Sequence, residues 1–184
     1  PDDLARRGIE LIRVERGGEV TYHGPGQLVA SPIVRLRDRP VLLRPFVRAL
    51  EQSMADVAAR YGIEAAARPG YPGIWIDQDG PGTRKLGALG LRVERGVTYH
   101  GIALNITTRL SDFSLIEPCG LAGLDVTSVA RELALRGVEA GPAVSVEQAG
   151  RWFAHDFAHR LAEAERASAV QREDTRAADA AAVV

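Results

Sequence analysis

The chain predicts an α+β fold, on three observations. Stretches that alternate apolar and polar residues, as half-buried strands do, are interspersed with stretches of helical period, and no regular βαβ rhythm orders them. Hydrophobic residues make up 46% of the 184, enough for the core of one domain without a metal or disulfide staple. Glycine-rich turn clusters, RGG at 16–18, HGPG at 23–26 and RG at 95–96, punctuate the strand-like stretches.

Taken in order, IELIRVE (Ile9 to Glu15) alternates as a strand, Arg16-Gly17-Gly18 turns, and a second strand is expected through Val20 to Tyr22. QLVASPIVRL reads as a third, with Pro32 marking it as an edge or a bulge because proline has no N–H for a ladder. From Leu42 to Tyr61, Leu43, Phe46, Val47, Leu50, Met54, Val57, Ala58 and Tyr61 recur at spacings of three and four, so an amphipathic helix is predicted, stopped by Gly62. Gly73 to Asp77 is an aromatic strand and QDGPGT a loop. KLGALGLRVERG and VTYHGIALNIT form a hairpin hinged near Gly96. After Asn105 the chain is irregular around FSLIEPCG, and Thr127 caps a short helix through Leu135. Ser145 and Gln148 are spaced as a capping box for a last helix through about Leu161. Residues 1–162 are read as a single catalytic domain that lacks an upstream segment, and the Ala-rich charged tail at 163–184 as frayed or disordered.

Charge excludes some functions. Lys plus Arg number 23 against 24 Asp plus Glu, which leaves no net field to draw in nucleic acid or an anionic membrane surface. No apolar run is long enough to span a bilayer, and one cysteine cannot form an intramolecular disulfide, so a cytoplasmic setting is expected. Neither a Walker-type GxxxxGK nor a strand followed by GxGxxG is present, so no nucleotide or other cofactor is expected. His155 and His159 are four apart on a helix, but no acidic or cysteine partner completes a zinc set and no metal is expected.

The remaining chemistry centres on Cys119, between Pro118 and Gly120, where a restricted and a permissive residue can hold a thiol at a sharp turn. By composition alone a lone cysteine is more often a buried small hydrophobe. Lys85 opens KLGALGL, whose small apolar neighbours offer little hydration to an ammonium. Its amine can take the proton of a thiol that is only slightly ionised at neutral pH. The bland reading is a surface lysine at a strand start. The glycines of RGGEVTYHGPGQ and GALG can bring bare backbone N–H groups to a carbonyl, or simply make turns. His23 and His100 end matching TYHG strings, and either lines a pocket or satisfies backbone hydrogen bonds.

RGGEVTYHGPGQLVASPI, RKLGALGLRV, TYHGIALNI and IEPCGL, in that order over residues 16–121, resemble the signature blocks of the lipoyl(octanoyl) transferases. The resemblance implies the mixed sheet with flanking helices shared by biotin and lipoate protein ligases. It also implies transfer of octanoyl from acyl carrier protein to a lysine of lipoyl domains, those of 2-oxoacid dehydrogenases and the glycine cleavage H protein. By the same resemblance Cys119 is the thioester nucleophile and Lys85 its acid/base partner. The acyl pocket is then lined by Arg16, Gly17, Gly18, Glu19, Val20, Thr21, Tyr22 and His23, by Ala88, Leu89 and Gly90, and by Gly101, Ile102 and Ala103. The upstream Glu-His-Pro and Tyr-Thr-x-Gly strings common in the family are not in this chain. Three alternatives stay open: an ATP-dependent ligase on the same fold, an amidotransferase between lipoyl-type proteins, and a non-catalytic acyl-binding module.

Overall fold

The structure, a computed structural model, describes residues 4, 6–15, 20–116 and 125–182, with 172–182 as backbone alone. Its frame is a six-stranded sheet: β1 (Gln27–Ala30), β2 (Ala66–Arg68), β3 (Tyr71–Ile76), β4 (Arg84–Glu94), β5 (Val97–Asn105) and β6 (Asp125–Val126). The order is β1-β5-β4-β3-β2 with antiparallel neighbours, and β6 pairs parallel to the start of β4. Among the described residues the sheet is accompanied by α1 (Leu43–Arg60), α2 (Val129–Leu135) and α3 (Val146–Ala182). The α+β expectation holds.

The helix predicted from Leu42 forms as α1. Its period sets Phe46, Leu50, Met54, Val57 and Ala58 into the core beside Ile74, Leu86 and Leu104 of the sheet. It ends as Gly62 permits: at φ +71° the Gly62 N–H donates to Ala59 O (2.9 Å) and the Ile63 N–H to Ala58 O (3.1 Å), and Ile63 is buried beyond the stop. The last helix does not stop near Leu161; it runs on to Ala182. Its early turns pack Ala149, Phe153 and Leu161 into the core, and Phe157 meets Phe46 edge to face at 5.7 Å. Arg60 to Asp156 and Arg160 to Asp56 tie it to α1. The expected tail is held as far as Ser168, which is buried and accepts the Leu42 N–H at 3.4 Å, and Glu165 pairs with Arg39 at 2.6 Å. Among the described residues no helix is long and apolar enough to cross a membrane.

Two strand expectations fail. IELIRVE is not a strand: Leu11, Ile12 and Val14 are exposed, and among the described residues no neighbouring strand takes their backbone groups. Val20 to Tyr22 is likewise irregular. QLVASPIVRL returns to the sheet at Arg35, which bridges Val97, but its continuous pairing is confined to Gln27–Ala30, at the sheet edge. Beyond it Thr98 stands in for the ladder, donating its hydroxyl to Pro32 O (2.7 Å) and accepting the Val34 N–H (2.9 Å). The hairpin is as expected: Glu94 pairs with Val97 across a two-residue turn in which Arg95 (φ +50°) and Gly96 (φ +78°) are both left-handed. Ser128, not Thr127, caps α2, accepting the Arg131 N–H at 3.2 Å. At α3 Ser145 Oγ accepts the Gln148 N–H at 3.2 Å, one of the two bonds of the expected capping box.

Close packing between β3 and β4 rests on Gly73. It sits at φ +116°, and a Cβ there would lie 2.2 Å from Gly87 O. Gly73→Ala should destabilise the fold by more than about 2 kcal/mol, read as a lower urea midpoint with unchanged slope. An unshifted midpoint would contradict this approach of the two strands.

Candidate active site

The β4–β5 register builds the site. Ala88 pairs with Ala103, Leu89 with Ile102 and Gly90 with Gly101, so two triads distant in sequence face each other across the ladder. On the far side of β5, Val29 pairs with Ala103. The pleat sends Leu28 and Leu104 into the helix-packed core, while Val29 and Ala103 line an open cavity on the other side. All six triad residues line it, joined by Val20, Thr21, His23, Ser31 and His100. Gly101 cannot be larger without moving the edge strand, because a Cβ on it would lie 2.3 Å from Ala30 O.

Lys85 opens the wall of the same cavity. It is 8% exposed, and its Nζ sits 4.8 Å from the ring centroid of its cross-strand neighbour Trp75. Trp75 is fully buried and donates Nε1–H to Tyr71 O at 3.0 Å. The surface-lysine reading of Lys85 is therefore wrong. β6 is laid directly on this point: Val126 pairs with Lys85, and the Thr127 N–H donates to Lys85 O at 2.9 Å.

Of the other expected site residues, Cys119 and Arg16, Gly17, Gly18 and Glu19 lie outside the described residues. Val20, Thr21 and His23 are at the cavity, but Tyr22 is not among its lining residues. Tyr22 is buried, donates to Asp112 Oδ2 at 2.9 Å and meets Phe113 edge to face at 5.3 Å, which anchors the preceding segment on the 3-10 turn at 110–115. Burial, and then the hydrogen bond to Asp112, push its phenol above the usual tyrosine range. His155 and His159 are exposed on α3 beside Asp156 and Glu163, and no group of residues able to hold a metal ion is found among the described residues.

Sequence reading missed the polar layer beneath the cavity. Gln27, Asn105, Thr127 and Glu132 are buried, and every member is hydrogen-bonded. Glu132 receives Arg84 through two bonds of 2.6 Å and the Thr127 hydroxyl at 2.5 Å. Burial alone would raise the Glu132 carboxyl; the bonds from Arg84 and Thr127 outweigh it and hold the group below the ordinary glutamate range. The only sequence signal was the placement of Gln27 and Asn105 inside otherwise apolar strands, which says that they are buried and not what they touch.

The model of the lipoyl protein ligase A/B catalytic domain matches residues 1–158. The chain belongs to this family. It is 44% identical over 129 residues to an octanoyltransferase of Desulfotalea psychrophila, covering 70% of this chain and 56% of that protein. It is 46% identical over 147 residues to an octanoyltransferase of Myxococcus xanthus, with 79% and 40% covered. The chain thus spans about half the length of such relatives. Among solved structures, a bi-partite lipoate protein ligase of Thermoplasma acidophilum superposes with a TM-score of 0.55 at 19% identity, over 94% of this chain and 69% of that one. The biotin protein ligase of Aquifex aeolicus in complex with biotin and ATP gives 0.52 at 14%, over 77% and 52%. At such identities the likeness is one of fold, and it bears out the expected ligase-like mixed sheet.

In this lipoyl protein ligase A/B domain the Arg84–Glu132 pair joins β4 to α2 directly beside Lys85. Removing one partner of such a pair leaves the other buried without its counter-charge, so Glu132→Gln should cost about 3–5 kcal/mol of stability. Because the folded-state carboxyl lies below its unfolded value, its contribution is complete above about pH 5 and fades as pH falls through the lowered value. Chemical denaturation across pH 3–7 should therefore show a steeper acid loss in the parent than in Glu132→Gln. Parallel curves would overturn the assignment.

Proposed function

We propose that this chain carries the catalytic site of an octanoyltransferase, which moves an octanoyl group from the pantetheine thioester of acyl carrier protein to a lysine of a lipoyl domain through a thioester on Cys119. The observation that carries the reading is Lys85. A lysine buried in the wall of a cavity built from small and apolar cross-strand residues is set for chemistry on an acyl chain, not for solvation. Two further facts support it. Relatives at 44–46% identity are octanoyltransferases. In addition, Asp125, six residues after Cys119 in the sequence, pairs with Arg84 beside Lys85.

In the first half-reaction the Lys85 amine takes the Cys119 proton, sulfur attacks the donor carbonyl, and the proton passes to the departing pantetheine thiol. This exchanges one thioester for another. In the second half an acceptor lysine attacks the Cys119 thioester and forms an amide, which is downhill, so no step requires ATP. Val29, Ala88 and Ala103 offer the chain an apolar wall, while Gly90 and Gly101 keep the floor free of side chains. The lipoyl domains of 2-oxoacid dehydrogenases and the glycine cleavage H protein are the proposed acceptors, and the cytoplasm the proposed compartment.

Incubation with octanoyl-acyl carrier protein should give an adduct of one octanoyl group by intact mass spectrometry, labile to neutral hydroxylamine and lost in Cys119→Ser. Lys85→Ala should slow its formation by about 10²–10⁴ with the thermal midpoint retained. A hydroxylamine-labile adduct on Cys119→Ser, or octanoylation that proceeds only from free octanoate and ATP, would sink the reading.

A further inference from the structure

The hydrogen bonds beneath the cavity determine which nitrogen of His23 carries its proton, and the determination starts from two backbone carbonyls. Asn105 Nδ2 is 3.0 Å from Thr127 O. A carbonyl can only accept, so the atom facing it is the amide nitrogen and the Asn105 oxygen points the other way. That oxygen is 2.9 Å from the Gln27 amide, and the same Gln27 atom is 3.2 Å from Tyr22 O. Both neighbours are acceptors, so this atom is Nε2, with its two protons committed to them. Gln27 Oε1 is then the atom 2.7 Å from His23 Nδ1, and it too can only accept. Turning either amide over would set oxygen against oxygen at one contact for Asn105, or at two for Gln27. With both amides buried, at 7% and 4% exposure, no water is at hand to relieve such a clash.

His23 Nδ1 must therefore be a donor. In the neutral ring this leaves Nε2 without a proton, and the ring is exposed where it lines the cavity that holds Lys85. From this geometry we infer that His23 is the base that accepts the proton of the incoming lysine amine in the second half-reaction, a role that rests on the octanoyl transfer proposed above. An acceptor lysine reaches the site mostly as an ammonium and must shed protons to attack and to become an amide. In the step, the amine nitrogen forms its bond to the octanoyl carbonyl carbon and the carbon–sulfur bond breaks. Sulfur leaves with the electron pair as the Cys119 thiolate. One amine proton goes to His23 Nε2, and the imidazolium returns a proton to the thiolate, directly or through water. Lys85 serves the thiol and His23 the amine, so neither group has to reset between the two halves.

The tautomer can be read without any reaction. Long-range ¹⁵N–¹H correlation spectra of the full chain should show neutral His23 protonated on Nδ1, while Gln27→Leu removes the acceptor and should shift the ring toward the Nε2–H form. Single-turnover kinetics test the role. With octanoyl-acyl carrier protein as donor and a lipoyl domain as acceptor, His23→Gln should slow transfer from the preformed acyl-enzyme by about 10²–10³. That loss should exceed any loss in acylation by at least about tenfold. Hydroxylamine, which attacks without needing a base, should discharge the variant's acyl-enzyme at the parent rate. A neutral His23 protonated on Nε2 in the parent overturns the inference, whether or not the variant folds, and so does equal slowing of both half-reactions. If the parent forms no acyl-enzyme at all, octanoyl transfer fails and His23 loses this task with it, while the spectra still report the tautomer.

Discussion

The site depends on the registry of one hairpin. Arg95 and Gly96 both take up positive φ, and the two-residue turn they make locks Glu94 opposite Val97. Every later pair follows by counting: Gly90 with Gly101, Leu89 with Ile102, Ala88 with Ala103, Gly87 with Leu104. Because side chains alternate, a slip of one residue would send Ala103 into the core and Leu104 into the cavity, exchanging a filled interior for a blocked pocket. Gly87 adds a second lock. A Cβ on it would lie 2.9 Å from Met54 Sδ and 3.1 Å from Ile74 Cγ1, so a side chain here would make Met54 shift against β4.

Beneath the cavity the protein places amides and a carboxylate where apolar side chains would be the simpler choice. Burying such groups is costly unless each finds a partner, and among the described residues no buried side-chain polar atom is left without one. The gain is connection. Gln27 and Asn105 are cross-strand partners on β1 and β5, Asn105 reaches Thr127 after β6, and Thr127 joins Glu132 on α2, which holds Arg84 on β4. Three separate stretches of chain thus meet around Lys85 with their relative positions set by directional bonds. An apolar filling would hold them together without fixing orientation.

How much of this was legible in the sequence follows from what each signal measures. The spacing of Phe46, Leu50, Met54 and Val57 reports a helix face directly, and the Gly96 turn reports its hairpin, because both are local. Alternation in IELIRVE reports only amphipathy. A strand also needs a neighbour, and among the described residues none is there for Leu11 and Ile12. Ala66–Arg68 shows the converse: three residues with no strand signature pair with β3 because its edge is available. The long final helix was hidden for a related reason. Past Leu161 the contacts include those of small or polar residues, Ala164 against the core, Ser168 to Leu42 and Glu165 to Arg39, and these leave no strongly apolar stripe to read. At the site, ordered blocks of residues pointed to the cavity wall, whereas Tyr22 shared a block with His23 and serves a different contact. The polar layer had no linear signature because its members come from three elements and the segment after β6.

Fold alone does not select the chemistry here, since the same fold superposes at 14% and 18% identity on ligases solved with ATP. What separates one use from another is how individual groups are held on that sheet. Lys85 illustrates the difference. Fixing a lysine side chain costs up to about 2 kcal/mol in lost rotamer freedom, so an amine on an exposed strand would sample many positions. Here the stem is buried and the amine rests over the face of Trp75, a contact worth about 0.5–2 kcal/mol, on a ring that is itself pinned through Nε1 to Tyr71. The ordering is therefore supplied when the protein folds and does not have to be supplied when a substrate arrives. An amine held in advance at a cavity wall is thus positioned by the fold itself, through a residue, Trp75, that is not among those lining the cavity.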